Sequence, residues 1–121
     1  MKNIAAHPPD LGKSTYLIDT HCHLDMTSYD EDLTKVLERA EKKQISRIVT
    51  IGIDLTSSER AILLARKYKQ ISATIGIHPH DVINTTDQDY DALRHLFAKY
   101  SKHIVGYGEI GLDYVKNYSP V

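Results

Sequence analysis

His21 and His23 stand two residues apart in Asp19-Thr20-His21-Cys22-His23, directly after the apolar Tyr16-Leu17-Ile18. In an extended strand, residues i and i+2 point to the same face, so the two imidazoles project together and Cys22 turns away. Two imidazoles on one face at a strand end make a metal-binding pair. The same motif also recurs as two polar residues satisfied by water or main chain. Glu109 lies among Gly106, Gly108 and Gly111, which leave room around its carboxylate. Two imidazoles and a carboxylate suit a divalent metal that keeps open positions, activates water and polarises a phosphoryl or carbonyl oxygen. The competing reading makes Glu109 a buried salt-bridge partner, but no cation sits beside it in sequence and a buried charge needs one.

His78-Pro79-His80 is a second constellation. It reads either as substrate-phosphate contact by one or both imidazoles, or as a rigid loop whose histidines bond main chain. Asp19 either orients a ligating histidine or caps the strand end. His7, His95 and His103 read as solvated or packed residues.

The elements that must hold these groups alternate. A strand covers about Tyr16 to His23. A helix follows near Tyr29 to Lys43, with Leu33, Val36, Leu37 and Ala40 at helical spacing. Ile45 to Ile53 is a buried, β-branched strand. Thr56-x-x-Glu59 resembles a capping box opening a helix from about Ser57 to Tyr68. Ile71 to His78 is a third strand, stopped by Pro79. Asp81 to Thr86 is a loop, and a helix spans about Asp87 to Tyr100. Ile104 to Asp113 is a fourth strand. The order β-α-β-α-β-α-β argues for right-handed crossovers and a parallel sheet. The ligand-like residues follow the strands: His21 and His23, then Asp54, then His78 and His80, then Glu109 and Asp113. Parallel α/β folds build their sites at that end.

The 121 residues are enough for one domain; 41% are apolar and 26% charged, ordinary for a globular protein. Fifteen basic and sixteen acidic residues nearly cancel, so a nucleic-acid substrate would be gripped locally, through metal ions, not by bulk charge. Clusters such as Arg66, Lys67 and Lys69 fall at helix C-termini, where they complement the dipole on the opposite face. One cysteine excludes an internal disulfide and fits a reducing compartment. Residues 1–15 read as an irregular leader broken by Pro8-Pro9, without a signal-peptide core, and no apolar run spans a membrane. The expected location is cytoplasmic.

Three segments together carry a resemblance. Leu17-Ile18-Asp19-Thr20-His21-Cys22-His23-Leu24-Asp25, Ile75-Gly76-Ile77-His78-Pro79-His80 and Gly108-Glu109-Ile110-Gly111-Leu112-Asp113-Tyr114 closely resemble the TatD-type metal-dependent deoxyribonucleases, amidohydrolase-like TIM barrels. The resemblance implies that residues 16–121 form the N-terminal half of a (β/α)8 barrel. It implies hydrolysis of DNA phosphodiesters, typically from the 3′ end, with divalent ions: magnesium or manganese ahead of zinc, two in the whole barrel. His21 and His23 would bind one ion and the catalytic Glu109 would bridge both. His80 and His78 would approach substrate; Asp113 would support the site. The family's chains are about twice as long, and their later strands add two histidines and an aspartate. The expected partners are therefore DNA and either a missing C-terminal half-barrel or further copies joined through exposed sheet edges. The alternatives are a small-molecule amidohydrolase using the same His-x-His, and a non-catalytic half-barrel with a role in assembly.

Overall fold

The computed structural model describes residue 12, residues 15–116 and residues 118–119. The expected leader lies outside these residues except for Gly12 and Thr15, as do Pro120 and Val121. Four strands form one sheet in the order β1-β2-β3-β4: β1 Leu17–Cys22, β2 Ile45–Ile51, β3 Ile71–Ile75 and β4 Ile104–Tyr107. Every neighbouring pair is parallel. The crossovers carry α1 (Leu33–Lys42), α2 (Leu55–Lys67) and α3 (Asp87–Tyr100).

The core lies between sheet and helices. Ile71, Ala73 and Ile75 alternate along β3 and are buried, while Ser72 and Thr74 between them face the other side and are less covered. Ile48 of β2, Leu37 of α1, Ala61, Ile62 and Ala65 of α2 and Leu93 of α3 close the layer. This is the expected parallel βαβαβαβ half of a TIM barrel, with β1 and β4 as its edges.

The structure corrects five boundaries. The first helix begins at Leu33, because Thr27–Tyr29 forms a separate 3-10 turn. The second is opened by Asp54, whose carboxylate accepts from the Ser57 N–H at 2.7 Å, not by Thr56 and Glu59. Asp54 is thus a helix cap. The capping box is at α3 instead, between Thr86 and Asp89. The second, third and fourth strands end early, at Ile51, Ile75 and Tyr107, because the chain beyond them leaves the ladder at the sheet end.

A candidate metal centre at the strand ends

β1 and β4 are opposite edges of the sheet, so His21 and His23 meet Glu109 only if one chain end crosses β2 and β3. It is the β4 exit that crosses. Gly108 N–H donates to the Ile75 carbonyl at 2.8 Å, and Glu109 N–H donates to the Gly52 carbonyl at 2.7 Å. The crossing passes directly over Gly76. A Cβ there would lie 2.5 Å from the Gly108 carbonyl carbon and 2.9 Å from the Glu109 nitrogen. Only glycine admits that approach.

The β2 exit acts as a template. Three consecutive carbonyls each hold a different site residue. Ile51 C=O accepts from the His23 ring at Nδ1, 3.1 Å away. Gly52 C=O takes the Glu109 N–H, and Ile53 C=O takes the His78 N–H at 2.7 Å. In the sequence this segment shows only as the end of a buried strand, a glycine closing the β-branched run Ile48-Val49-Thr50-Ile51.

The ligand atoms of His21, His23 and Glu109 lie within 4.8 Å of one another. His21 Nε2 is 3.5 Å and His23 Nε2 3.9 Å from Glu109 Oε2. Donors on a shared tetrahedral ion, each about 2.1 Å from it, stand roughly 3.4 Å apart. The set therefore fits a divalent ion after small side-chain rotations. The tautomers favour it too. A carbonyl only accepts, so the neutral His23 ring carries its proton on Nδ1 and turns its Nε2 lone pair towards Glu109.

His78 is held the opposite way. Its Nδ1 accepts from the main-chain N–H of His80 at 3.1 Å. The neutral ring then bears its proton on Nε2, which points at Glu109 Oε1 from 3.4 Å. His78 is thus a donor toward the carboxylate. His80 Nε2 is bonded to the Asp113 carboxylate, and its ring packs edge-on against Tyr118 at 4.7 Å. Any contact from His80 to a substrate falls to its other ring nitrogen. Asp113 also accepts from the N–H groups of Val115 and Lys116. The His80 bond, reinforced by these two, holds its carboxyl down to about 2.

Asp19 accepts from the main-chain N–H of His21 at 3.1 Å, so it caps the strand end and steadies His21 through its backbone. Cys22 turns to the other face, with Sγ 3.5 Å from the Val49 carbonyl. Burial, aided by the nearby Asp19 charge, pushes its thiol up to about 11. His95 bonds the Asp91 carbonyl within α3, apart from the site.

Residues 18–121 match the family model described as TatD related DNase. The chain is 41% identical over 104 residues to an uncharacterized metal-dependent hydrolase, YabD, of Bacillus subtilis, covering 86% of this chain and 40% of that protein. It is 31% identical over 103 residues to a 3′-5′ ssDNA/RNA exonuclease TatD of Cronobacter sakazakii, covering 85% and 38%. The crystal structure of YJJV, a TatD homologue of Escherichia coli K12, superposes with a TM-score of 0.76 at 29% identity, over 83% of this chain and 39% of that one. The chain thus spans about 40% of the length of these relatives. Its sheet, its rim of histidines and these matches agree: the chain belongs to the TatD-related DNase family of metal-dependent hydrolases.

Proposed function

We propose that this chain contributes the first half of the active site of a metal-dependent deoxyribonuclease that hydrolyses DNA phosphodiesters from the 3′ end. The observation that carries this is the convergence of His21, His23 and Glu109 from opposite edges of the sheet. His21 and His23, through Nε2, and Glu109, through its carboxylate, would hold a divalent cation, with magnesium or manganese favoured over zinc. Such an ion supplies Lewis-acid polarisation of a phosphoryl oxygen and lowers the pKa of attacking water.

The residues themselves do the positioning. The Ile51 carbonyl keeps the His23 proton on Nδ1 and so keeps Nε2 available. His78 turns Nε2 toward Glu109 Oε1 at 3.4 Å and, when a substrate phosphate enters, can turn that donor to it. His80 stands beside it, its ring 4.4 Å from His78, and Asp113 anchors it. Asp19 supports His21 through the main chain. Glu109 presents one oxygen towards the His21–His23 pair and the other towards His78, and its carboxylate would take part in holding both ions of the whole barrel. The second ion's remaining ligands come, on this reading, from the complementary half-barrel, in the same chain or in another copy.

The exonuclease polarity follows the name of the Cronobacter relative. The small-molecule amidohydrolase alternative is not favoured beside a relative named as an ssDNA/RNA exonuclease. The half-buried free thiol of Cys22 suits the cytoplasm, and among the described residues no helix is long and apolar enough to cross a membrane.

The test is Mn²⁺ binding by calorimetry on the chain and on His21→Ala and Glu109→Ala, beside hydrolysis of 3′-labelled and 5′-labelled DNA by a whole barrel bearing the same substitutions. Metal binding should be lost in both variants, and hydrolysis should release the 3′ label first. Equal Mn²⁺ binding by all three proteins would sink the site assignment.

A further inference from the structure

We propose that Asp25 is a positioning residue for this centre: its buried carboxylate clasps Thr50 and Ser57 and thereby sets the β2 exit on which His23, Glu109 and His78 hang. The consequence for metal binding rests on the proposed function; the clasp itself does not.

Asp25 is 6% exposed. Its Oδ2 accepts from the Ser57 hydroxyl at 2.6 Å, and its Oδ1 accepts from the Thr50 hydroxyl at 3.3 Å. Arg60 meets only its main-chain carbonyl, donating from Nε at 2.6 Å. Among the described residues the carboxylate is thus held by two hydroxyls and by no cation. A buried charge with that environment is costly unless its partners are fixed, and here they are.

Each hydroxyl works twice. Thr50, wholly buried in β2, donates to Asp25 while its oxygen accepts from the Leu24 N–H at 3.1 Å. Ser57, in the first turn of α2, donates to Asp25 while its oxygen accepts from the Ile53 N–H at 3.1 Å. The carboxylate therefore pins the residue after His23 and the last residue of the Ile51-Gly52-Ile53 template together. Ile53 in turn holds His78, Gly52 holds Glu109 and Ile51 holds the His23 ring. Two rungs, Asp25–Thr50 and His23–Ile51, run side by side between the β1 exit and β2. Loosening the first frees the second, and the His23 ring then loses its single tautomer.

The experiment compares the chain with Asp25→Asn, Thr50→Val and Ser57→Ala. Asparagine keeps the shape but turns one acceptor into a donor facing a hydroxyl. Thr50→Val and Ser57→Ala each remove one arm. Imidazole ¹⁵N spectra without metal report the His23 tautomer, and His95, bonded in the same way to Asp91 far from the clasp, is the internal reference. Expected is a wild-type His23 with its proton on Nδ1. The variants should show a tautomer mixture at His23, an unmoved His95, and Mn²⁺ affinity about 10–100-fold weaker. Should Asp25→Asn fail to fold, Ser57→Ala carries the comparison. A folded variant of lower Tm with an unchanged His23 spectrum and Mn²⁺ affinity within twofold overturns the proposal, because Asp25 would then only hold the fold together. A wild-type chain that binds no Mn²⁺ overturns the metal reading instead, and the His23 spectrum alone decides the clasp.

Discussion

At the scale of single residues, the histidines of the rim differ by what touches their second nitrogen. His23 faces a carbonyl and keeps a lone pair for an ion; His78 faces a main-chain N–H and keeps a proton. His78→Ala should accordingly spare most Mn²⁺ affinity, while His23→Ala abolishes it; calorimetry checks both, and equal losses would place His78 among the ligands. Asp113 offers a pH test. Its carboxyl lies at about 2 against an ordinary 3.8, chiefly through His80. A depressed carboxyl stabilises the fold at every pH above its unfolded value and loses that contribution as pH falls through its folded value. The anchoring of the loop after β4 should thus persist on acidification past 3.8 and fail only near 2. Carboxyl ¹³C titration should find that midpoint, and His80→Ala should raise it. Cys22, with its thiol at about 11, should alkylate slowly at pH 8, and added Mn²⁺ should leave that rate unchanged because the side chain faces away from the rim.

At the scale of elements, the decisive event is the passage of the β4 exit over Gly76. Gly76→Ala places a Cβ 2.5 Å from the Gly108 carbonyl carbon, and that neighbour is main chain, which cannot swing aside. We expect a loss of about 1–3 kcal/mol in stability, the usual cost of overpacking. Mn²⁺ affinity should fall with it, since Glu109 must lift. Urea unfolding and calorimetry read the two effects; a full-affinity Gly76→Ala would show that Glu109 reaches the histidines by another route. Asp54→Ala removes the α2 cap and should cost about 1 kcal/mol. Its effect on metal should be small, because Asp54 contacts the helix and not the rim.

At the scale of the whole molecule, both edges of the sheet carry apolar side chains. Leu17 and Ile18 on β1, and Val105 and Tyr107 on β4, are exposed, as is Phe97 of α3 nearby. A groove between α3 and β4, lined by Leu93, Phe97, Val105 and Tyr107, continues that surface. Unpaired parallel edges with apolar faces associate. The 121-residue chain should therefore self-associate with rising concentration in sedimentation velocity, and Val105→Lys should weaken the association. Its nuclease turnover should be far below that of a whole barrel, since a second ion would lack its own histidines. Robust turnover by the monodisperse chain, lost in Glu109→Ala, would mean that residues already at the rim complete the site.

Periodicity made the alternation of strands and helices legible, because the core face of each element is written in its own spacing: Leu33, Val36, Leu37 and Ala40 on α1, and Ile71, Ala73 and Ile75 on β3. The α3 boundaries coincide with those read from the pattern, since Thr86 and Asp89 cap it locally. The pairing of His21 with His23 was legible for the same reason, as strand alternation is a local property. What joins them to Glu109 is not local. The route over Gly76, the three carbonyls of Ile51-Gly52-Ile53 and the His23 tautomer depend on partners about 25 to 57 positions apart in the chain, whereas the His78 tautomer is set two residues away by the His80 N–H. The same holds for Asp25, whose partners Thr50 and Ser57 lie 25 and 32 residues away. The residues that follow the strands already mark the end that carries the site, but main-chain acceptors leave no mark on residue type, so only the packed sheet could decide how those strand ends are joined.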